Sequence, residues 1–166
     1  MNYHKISKFD IANGNGIRVV LWVSGCEHHC KGCHNKMTWD RNSGKPFDSE
    51  AMVELETELS SPFHDGITFS GGDPLAPYNR DMITNIAEHV KLMYPDKTVW
   101  MYTGYKYEDV KDLNVMKYVD VLVDGQYKTD LHDVSIRFCG SSNQRIIDVT
   151  STRQQKHIVL WKPLEI

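Results

Sequence analysis

The sequence predicts an α/β fold built on a parallel sheet, and three observations predict it. Short, nearly continuous apolar runs alternate with longer stretches of helical periodicity, in the order β-α-β-α-β-α-β. The apolar runs lack polar alternation, the pattern of strands covered on both faces. The residues least suited to a merely structural role stand just after those runs, and ligand sites of parallel sheets lie at the C-terminal ends of the strands.

Taken in order, Asn13-Gly14-Asn15-Gly16 reads as a turn, because Asn and Gly tolerate positive φ. Residues 17–23 form the first strand, apolar except for Arg18. Residues 34–47 read as loop, ending at Gly44-Lys45-Pro46. Asp48 or Ser49 then caps a helix running to about Ser60, with Met52, Leu55 and Leu59 as its buried stripe. Residues 66–70 are a second strand, stopped by Gly71-Gly72-Asp73-Pro74. A helix over 79–93 follows, with Met82, Ile83, Ile86, Val90 and Met93 on one face, and Pro95-Asp96 breaks it. Residues 98–102 are a third strand, ending in Thr103-Gly104-Tyr105. A weaker helix covers 107–116, and 119–123 is a fourth strand ending at Asp124-Gly125. Beyond Gln126 the pattern loosens, with 134–138, 145–149 and 158–161 as short strands. No repeat, low-complexity tract or linker interrupts the chain, so one domain over 1–166 is expected.

The composition is that of a soluble domain, 40% hydrophobic and 25% charged over 166 residues. A formal charge of -3 argues against nucleic acid as the main partner. The start is polar, and no apolar run approaches the roughly 20 residues a membrane helix needs. A cytoplasmic location is expected, where cysteines serve as metal ligands or reactive thiols more often than as disulfides.

Three of the four cysteines, Cys26, Cys30 and Cys33, fall in one C-x3-C-x2-C segment after the first strand. Structural zinc takes four ligands, usually from two separated knuckles. A fourth ligand would have to come from His28, His29, His34 or the distant Cys139. Three thiolates in one loop fit an iron–sulfur cluster better, one iron being left open to an outside ligand. Zinc and unligated thiols remain the alternatives on spacing alone. Cys139, with no partner motif, reads as a lone buried thiol.

That triplet, placed just after a first strand, resembles the signature of the radical S-adenosylmethionine superfamily. Further segments follow in a matching order: Asn13 to Arg18, Trp39-Asp40, Ser70-Gly71-Gly72-Asp73-Pro74-Leu75, Tyr102-Thr103-Gly104-Tyr105, Asp120 to Gly125 and Gly140-Ser141-Ser142-Asn143-Gln144-Arg145. Together they are similar to the glycyl-radical activases that serve anaerobic ribonucleoside-triphosphate reductases. The triplet specifies only the superfamily; the last segments are narrower. Gly32 stands where many superfamily members carry an aromatic residue, Asp73 replaces a Glu, and Asn13 and Asn15 replace the usual Asp and Pro.

The resemblance implies an incomplete, open parallel (β/α) barrel carrying one [4Fe-4S] cluster on Cys26, Cys30 and Cys33. It implies that S-adenosylmethionine binds the open iron and is cleaved reductively to methionine and a 5′-deoxyadenosyl radical. That radical takes a hydrogen atom from a C-terminal glycine of the reductase large subunit. Flavodoxin or a similar donor would supply the electron. Gly71 and Gly72 would let backbone approach the methionine part, with Asp73 beside them, and the backbone of Gly32, Cys33 and His34 would line the adenine side. Tyr102 and Thr103 end a strand on the cofactor side or simply pack there. Asp124 orients the cofactor or a monovalent cation, or caps a turn. His28 and His29 either tune the cluster or sit on the surface of its loop. A radical enzyme acting on a small molecule and a zinc-bearing interaction module are the rival readings. No catalytic acid, base or nucleophile is called for, since the cofactor carries the hard chemistry.

Overall fold

The structure, a computed structural model, describes residues 1–163; the last three residues of the expected 1–166 domain lie outside them. The strands are β1 (Asn2–Asp10), β2 (Arg18–Val23), β3 (Lys45–Pro46), β4 (Gly66–Gly71), β5 (Thr98–Tyr102), β6 (Val121–Asp124) and β7 (Arg145–Asp148). The helices are α1 (Ser49–Leu59), α2 (Arg80–Met93), the single turn α3 (Tyr107–Val110) and α4 (Val149–Gln155). One seven-stranded sheet runs in the order β3-β1-β2-β4-β5-β6-β7. Its centre, β2-β4-β5-β6, is parallel, and the alternation of strand and helix reproduces the expected order there. Antiparallel β1 and β7 flank it. No described helix is long and apolar enough to cross a membrane.

The two faces of the sheet differ. Val19, Leu21, Val23, Ile67, Phe69, Val99, Met101 and Leu122 pack with Leu55 and Leu59 of α1 and Ile83, Ile86 and Val90 of α2. This is the main core. The other face collects Trp100, Val121, Val123 and Phe138, with Tyr102, Cys139, Ile146 and Trp161 against them, and no residue of the four helices takes part. Helices therefore cover one side, and loops cover the other.

Arg18 closes the N-terminal end of the parallel sheet. It is 0% exposed. Its guanidinium donates to Thr68 Oγ1 at 2.6 Å, Ile67 O at 2.6 Å, Thr98 O at 2.8 Å, Thr98 Oγ1 at 2.9 Å and Asn15 O at 3.0 Å. Every acceptor is neutral, and burial lowers the Arg18 pKa to about 10. The break that Arg18 makes in the apolar run of β2 is thus a clamp joining the starts of β2, β4 and β5.

Several expectations need correction. Residues 2–10, read only as a polar start, form β1; Tyr3 is buried, but most of the strand is half-exposed and carries little apolar signal. The 34–47 loop contains a 3-10 turn at Lys36–Thr38 and the short β3. The 107–116 helix stops after one turn and resumes as a 3-10 turn at Asn114–Lys117, Asp112 and Asn114 being poor helix formers. No strand forms over 134–138: Asp133 Oδ1 accepts from both the backbone N–H and hydroxyl of Ser135, which bends the chain. The 145–149 strand ends at Asp148, whose carboxylate caps α4 by accepting from Ser151 N at 2.7 Å. The β-branched Val149 and Thr150 hid that helix. Residues 158–161 make only a bridge, Ile147 to Leu160. Met93 is 56% exposed, outside the α2 stripe.

Arg18→Met leaves the buried carbonyl of Ile67, and the partly buried one of Thr98, without the guanidinium donor. We expect a stability loss of about 3 kcal/mol by urea unfolding. A loss below about 1 kcal/mol would show that the strand starts hold without the clamp.

Candidate functional site

The cysteine loop leaves β2 through Gly25, at φ 93°, with the Tyr78 ring packed where a Cβ would stand. Two backbone bonds pin its start: Gly25 N to Thr38 O at 2.6 Å and Cys26 N to Trp39 O at 3.1 Å. Cys33 N then closes a turn onto Cys30 O at 3.1 Å. The result is a tight loop that turns Cys26, Cys30 and Cys33 onto one cavity of about 160 Å³.

The same cavity is lined by Gly71, Gly72, Asp73, Tyr102 and Thr103, so eight of the residues singled out in the sequence meet there. Their meeting is built on the Asp73 carboxylate, which is 1% exposed. It accepts from Leu75 N at 2.8 Å, Gly104 N at 2.9 Å and Thr103 Oγ1 at 2.9 Å and 3.0 Å. His28 Nε2 lies 2.7 Å from it. His28 belongs to the cysteine loop, Asp73 follows β4, and Thr103 and Gly104 follow β5. One side chain thus joins three strand ends. The fourth joins through Thr103 N to Val123 O and Gly125 N to Tyr105 O, both at 3.0 Å.

Gly71 and Gly72 are required by the protein's own backbone. A Cβ on Gly71, at φ 101°, would stand 2.6 Å from Val23 O, and one on Gly72 would press on the Gly25 carbonyl. Gly72 N donates to Val23 O at 2.8 Å and Asp73 N to Gly25 O at 2.7 Å. The glycine pair lets the β4 loop lie directly against the base of the cysteine loop.

The other expected residues spread outward. His34 lines an adjoining cavity of about 320 Å³ with Cys33, Tyr102, Tyr127 and Cys139. Tyr102 faces both cavities, its hydroxyl donating to Phe138 O at 3.0 Å, and burial raises its pKa. Gly32, at φ 76°, is exposed and packs against Thr129. Asp124 lines a third, open cavity beside His28. Its carboxylate accepts from Tyr107 N at 2.8 Å and from Arg145, which also grips Glu108 at 2.8 Å and 3.0 Å. Arg145 draws the Glu108 carboxyl down to about 2. Asp124 therefore anchors the turn after β6 through Arg145.

The three thiols are half-buried. Burial pushes Cys26 up to about 11, against backbone N–H bonds from His28 and His29. Burial likewise raises Cys30, against an N–H bond from Tyr127. Asn35 N lies 3.4 Å from Cys33 Sγ. Backbone N–H groups near the sulfurs thus favour their thiolate forms. Among the described residues, no three His, Cys, Asp or Glu side chains converge on a single ion. Of the histidine candidates for a fourth zinc ligand, His28 has both ring nitrogens engaged, by Asp73 and Gln126, while His29 packs against Trp39 and His34 against Tyr127 and His132. Cys139, half-buried and pushed up to about 11 by burial, lines only the adjoining cavity.

Sequence reasoning left the structural part of His28 open and did not single out Gln126, Tyr127 or Gln144, all in the cavity wall. Gln144 carried a signal, its place in the Gly-Ser-Ser-Asn-Gln-Arg run. Its Oε1 accepts from Gly140 N at 2.9 Å and Ser141 N at 3.2 Å, which shapes that loop. Asp73→Ala removes the shared acceptor of three loops. We expect it to destabilise the metal-free protein by about 3 kcal/mol in urea, with Asp73→Asn losing less. Equal stability in all three proteins would show that the loops stand independently.

Comparison with known proteins agrees with this geometry. A family model described as a 4Fe-4S single cluster domain matches residues 12–147. That span carries all three clustered cysteines and every loop of the cavity wall. The anaerobic ribonucleoside-triphosphate reductase-activating protein of Enterobacteria phage T4 is 46% identical over 146 residues, 88% of this chain and 93% of its own length. The protein of the same name from Escherichia coli K12 is 42% identical over 148 residues, 87% of this chain and 96% of its own. That from Vibrio cholerae is 38% identical over 150 residues, 88% and 97% of the two chains. The iron–sulfur reading of the cysteine loop is thereby preferred to zinc. The chain belongs to the family of anaerobic ribonucleoside-triphosphate reductase-activating proteins.

Proposed function

We propose that this protein activates an anaerobic ribonucleoside-triphosphate reductase by generating a glycyl radical on its large subunit. The observation that carries the reading is the convergence of Cys26, Cys30 and Cys33 with the loops after β4 and β5 on one cavity. When bound, a [4Fe-4S] cluster and S-adenosylmethionine supply one-electron cleavage of a carbon–sulfur bond, giving methionine and a 5′-deoxyadenosyl radical that takes hydrogen from a glycine. Cys26, Cys30 and Cys33 would hold the cluster, and among the described residues no fourth thiol lines their cavity, so one iron would be open to the cofactor. The Gly71-Gly72 backbone lines the cavity beside the cysteine loop, where the methionine part would approach. Tyr102 separates this cavity from the adjoining one, where His34 and Tyr127 provide flat walls suited to the adenine. Thr103 and Asp73 act from behind, holding the loops in register; Asp124 does the same through Arg145.

The helix-free face of the sheet supports the incomplete-barrel reading, since that architecture carries its helices outside and its ligands on the concave inner face. A sheet open at β3 and β7 leaves room for a polypeptide loop to reach the cavity, as a protein substrate requires. The relatives' shared name supports the reductase as partner. A flavodoxin-like donor in the cytoplasm would deliver the electron.

Anaerobic reconstitution should give a broad visible absorption that bleaches on dithionite. Cys26→Ala, Cys30→Ala and Cys33→Ala should each abolish it, while Cys139→Ala keeps it. Adding S-adenosylmethionine, reductant and the reductase should yield a glycyl radical by electron paramagnetic resonance. Deoxyadenosine without a protein radical would keep the radical chemistry and discard the substrate; a colourless protein would end the reading.

A further inference from the structure

The first residues of the cysteine loop carry two arginine–tyrosine pairs that the cavity does not use. The Tyr78 ring packs against Gly25, and the Arg41 guanidinium stands 5.5 Å from the centre of that ring. The Tyr105 ring meets the His28 ring edge-on at 4.6 Å, and the Arg80 guanidinium stands 5.7 Å from its centre. Gly25 and His28 bracket Cys26, which lines the cysteine cavity. Only this short stretch of loop lies between the two pairs and the cavity.

The two pairs form one patch. Burial raises the pKa of both tyrosines, Tyr78 to about 12, and the charges of Glu27, Cys26 and Asp73 act on both in the same direction. Both rings are only partly buried, and Arg41 is exposed. Among the described residues neither Arg41 nor Arg80 has an ion-pair partner. Arg80 spends its Nε on Leu75 O at 2.7 Å, which fixes it over Tyr105. Lys106, exposed, lines one open cavity with Tyr105 and His28 and adds a third cation. Of the carboxylates beside the arginines in sequence, Asp40 accepts from Asn42 N at 2.9 Å, and Asp81 lies in the first turn of α2, whose dipole it complements. Glu27 is the one exposed carboxylate that acts on the two phenols. Arginine and tyrosine held together at a surface are the residue types that dominate protein interfaces.

We propose that this arginine–tyrosine patch is the docking surface for an acidic electron-carrier protein. The inference rests on the cluster reading of the cavity. One electron leaves the carrier, which is oxidised, and crosses the Gly25 to His28 stretch to the cluster, which is reduced. The guanidinium groups stacked on rings are already ordered, and their free N–H groups suit carboxylates of the partner. The placement fits two partners at once. Tyr105 packs against the helix-side core and Arg80 opens α2, so a carrier bound there leaves the helix-free face clear for the polypeptide substrate.

The test uses flavodoxin, an acidic flavoprotein, with the full-length protein. Calorimetric titration of the metal-free protein at low ionic strength should show binding that salt weakens and that the double variant Arg41→Gln, Arg80→Gln weakens about tenfold. After anaerobic reconstitution, reduced flavodoxin should bleach the double variant about tenfold more slowly, while dithionite bleaches it at an unchanged rate. Arg41→Gln alone, which spares the Arg80 bond to Leu75, should show part of the loss even if the double variant is unstable. Lys111→Gln with Lys117→Gln, which removes two exposed cations elsewhere, should change neither binding nor rate. Unchanged flavodoxin binding and bleaching in the arginine variants overturn the proposal. An equal loss in the lysine control overturns it, as does an equal slowing with dithionite. Weaker binding of the reductase instead of flavodoxin would assign the patch to the substrate and also overturn it. A protein that assembles no cluster ends the iron–sulfur reading, whereas titration of the metal-free protein tests the patch by itself.

Discussion

The Asp73 carboxylate draws His28 from the cysteine loop, Leu75 from its own loop, and Thr103 and Gly104 from the loop after β5. A buried carboxylate without such partners would be strongly destabilising, so the fold must bring those three loops together or leave the group unmatched. Everything at this end of the sheet follows from that demand. His28 ties the cysteine loop to this knot, while backbone bonds at Gly25, Cys26 and Cys33 give the loop its turn. Gly104 lies so close to the His28 ring that any side chain there would strike it. The cavity is thus a consequence of a polar knot beneath it.

The opposite end of the sheet is closed by a second polar knot of reversed sign. Arg18 gathers carbonyl and hydroxyl oxygens from β4, β5 and the Asn13 to Gly16 turn. Between the knots the sheet divides its labour. One face is apolar and carries the helices, which supply most of the hydrophobic burial. The other face, lined by Arg18, Thr68, Ser70 and Tyr102, stays partly polar and takes only loops. A face that, on the proposed function, would receive a charged cofactor could not also be a dry helix-packing surface. The chain meets both needs by the period-two alternation of its strands.

The central β-α pattern was legible because each apolar run and helical stripe contains its own signal. The same holds for the α1 cap, expected at Asp48 or Ser49 and found at Asp48, which accepts from Ala51 N. The edges were not legible. β1 is half-exposed and patterned weakly, and α4 hides inside a β-branched run until Asp148 is seen folding back on Ser151. The expected strand over 134–138 failed for a similar reason, a local carboxylate–Ser135 bond outcompeting the sheet. In these last two cases a short-range side-chain bond decided between two backbone states of similar intrinsic preference.

By itself the sequence pointed to metal or thiol chemistry at one loop, with zinc and unligated thiols left as alternatives on spacing alone. Three thiols at C-x3-C-x2-C spacing can reach a common cluster because local chain geometry places them within one turn, whatever surrounds them. It also determined which strand ends carry the accessory motifs. Only the tertiary structure decided what those motifs do. Asp73 and Asp124, which resemblance places beside the cofactor, are filled by the protein's own donors. Gly71 and Gly72 yield to the backbone of β2 and the cysteine loop. Trp39, visible in the sequence only as part of a motif, is the wall residue whose donor is left unpaired. The reason is physical. Covalent spacing fixes what lies within a few residues, but whether a polar atom is satisfied depends on partners from 30 to 100 residues away, and only folding brings those to it.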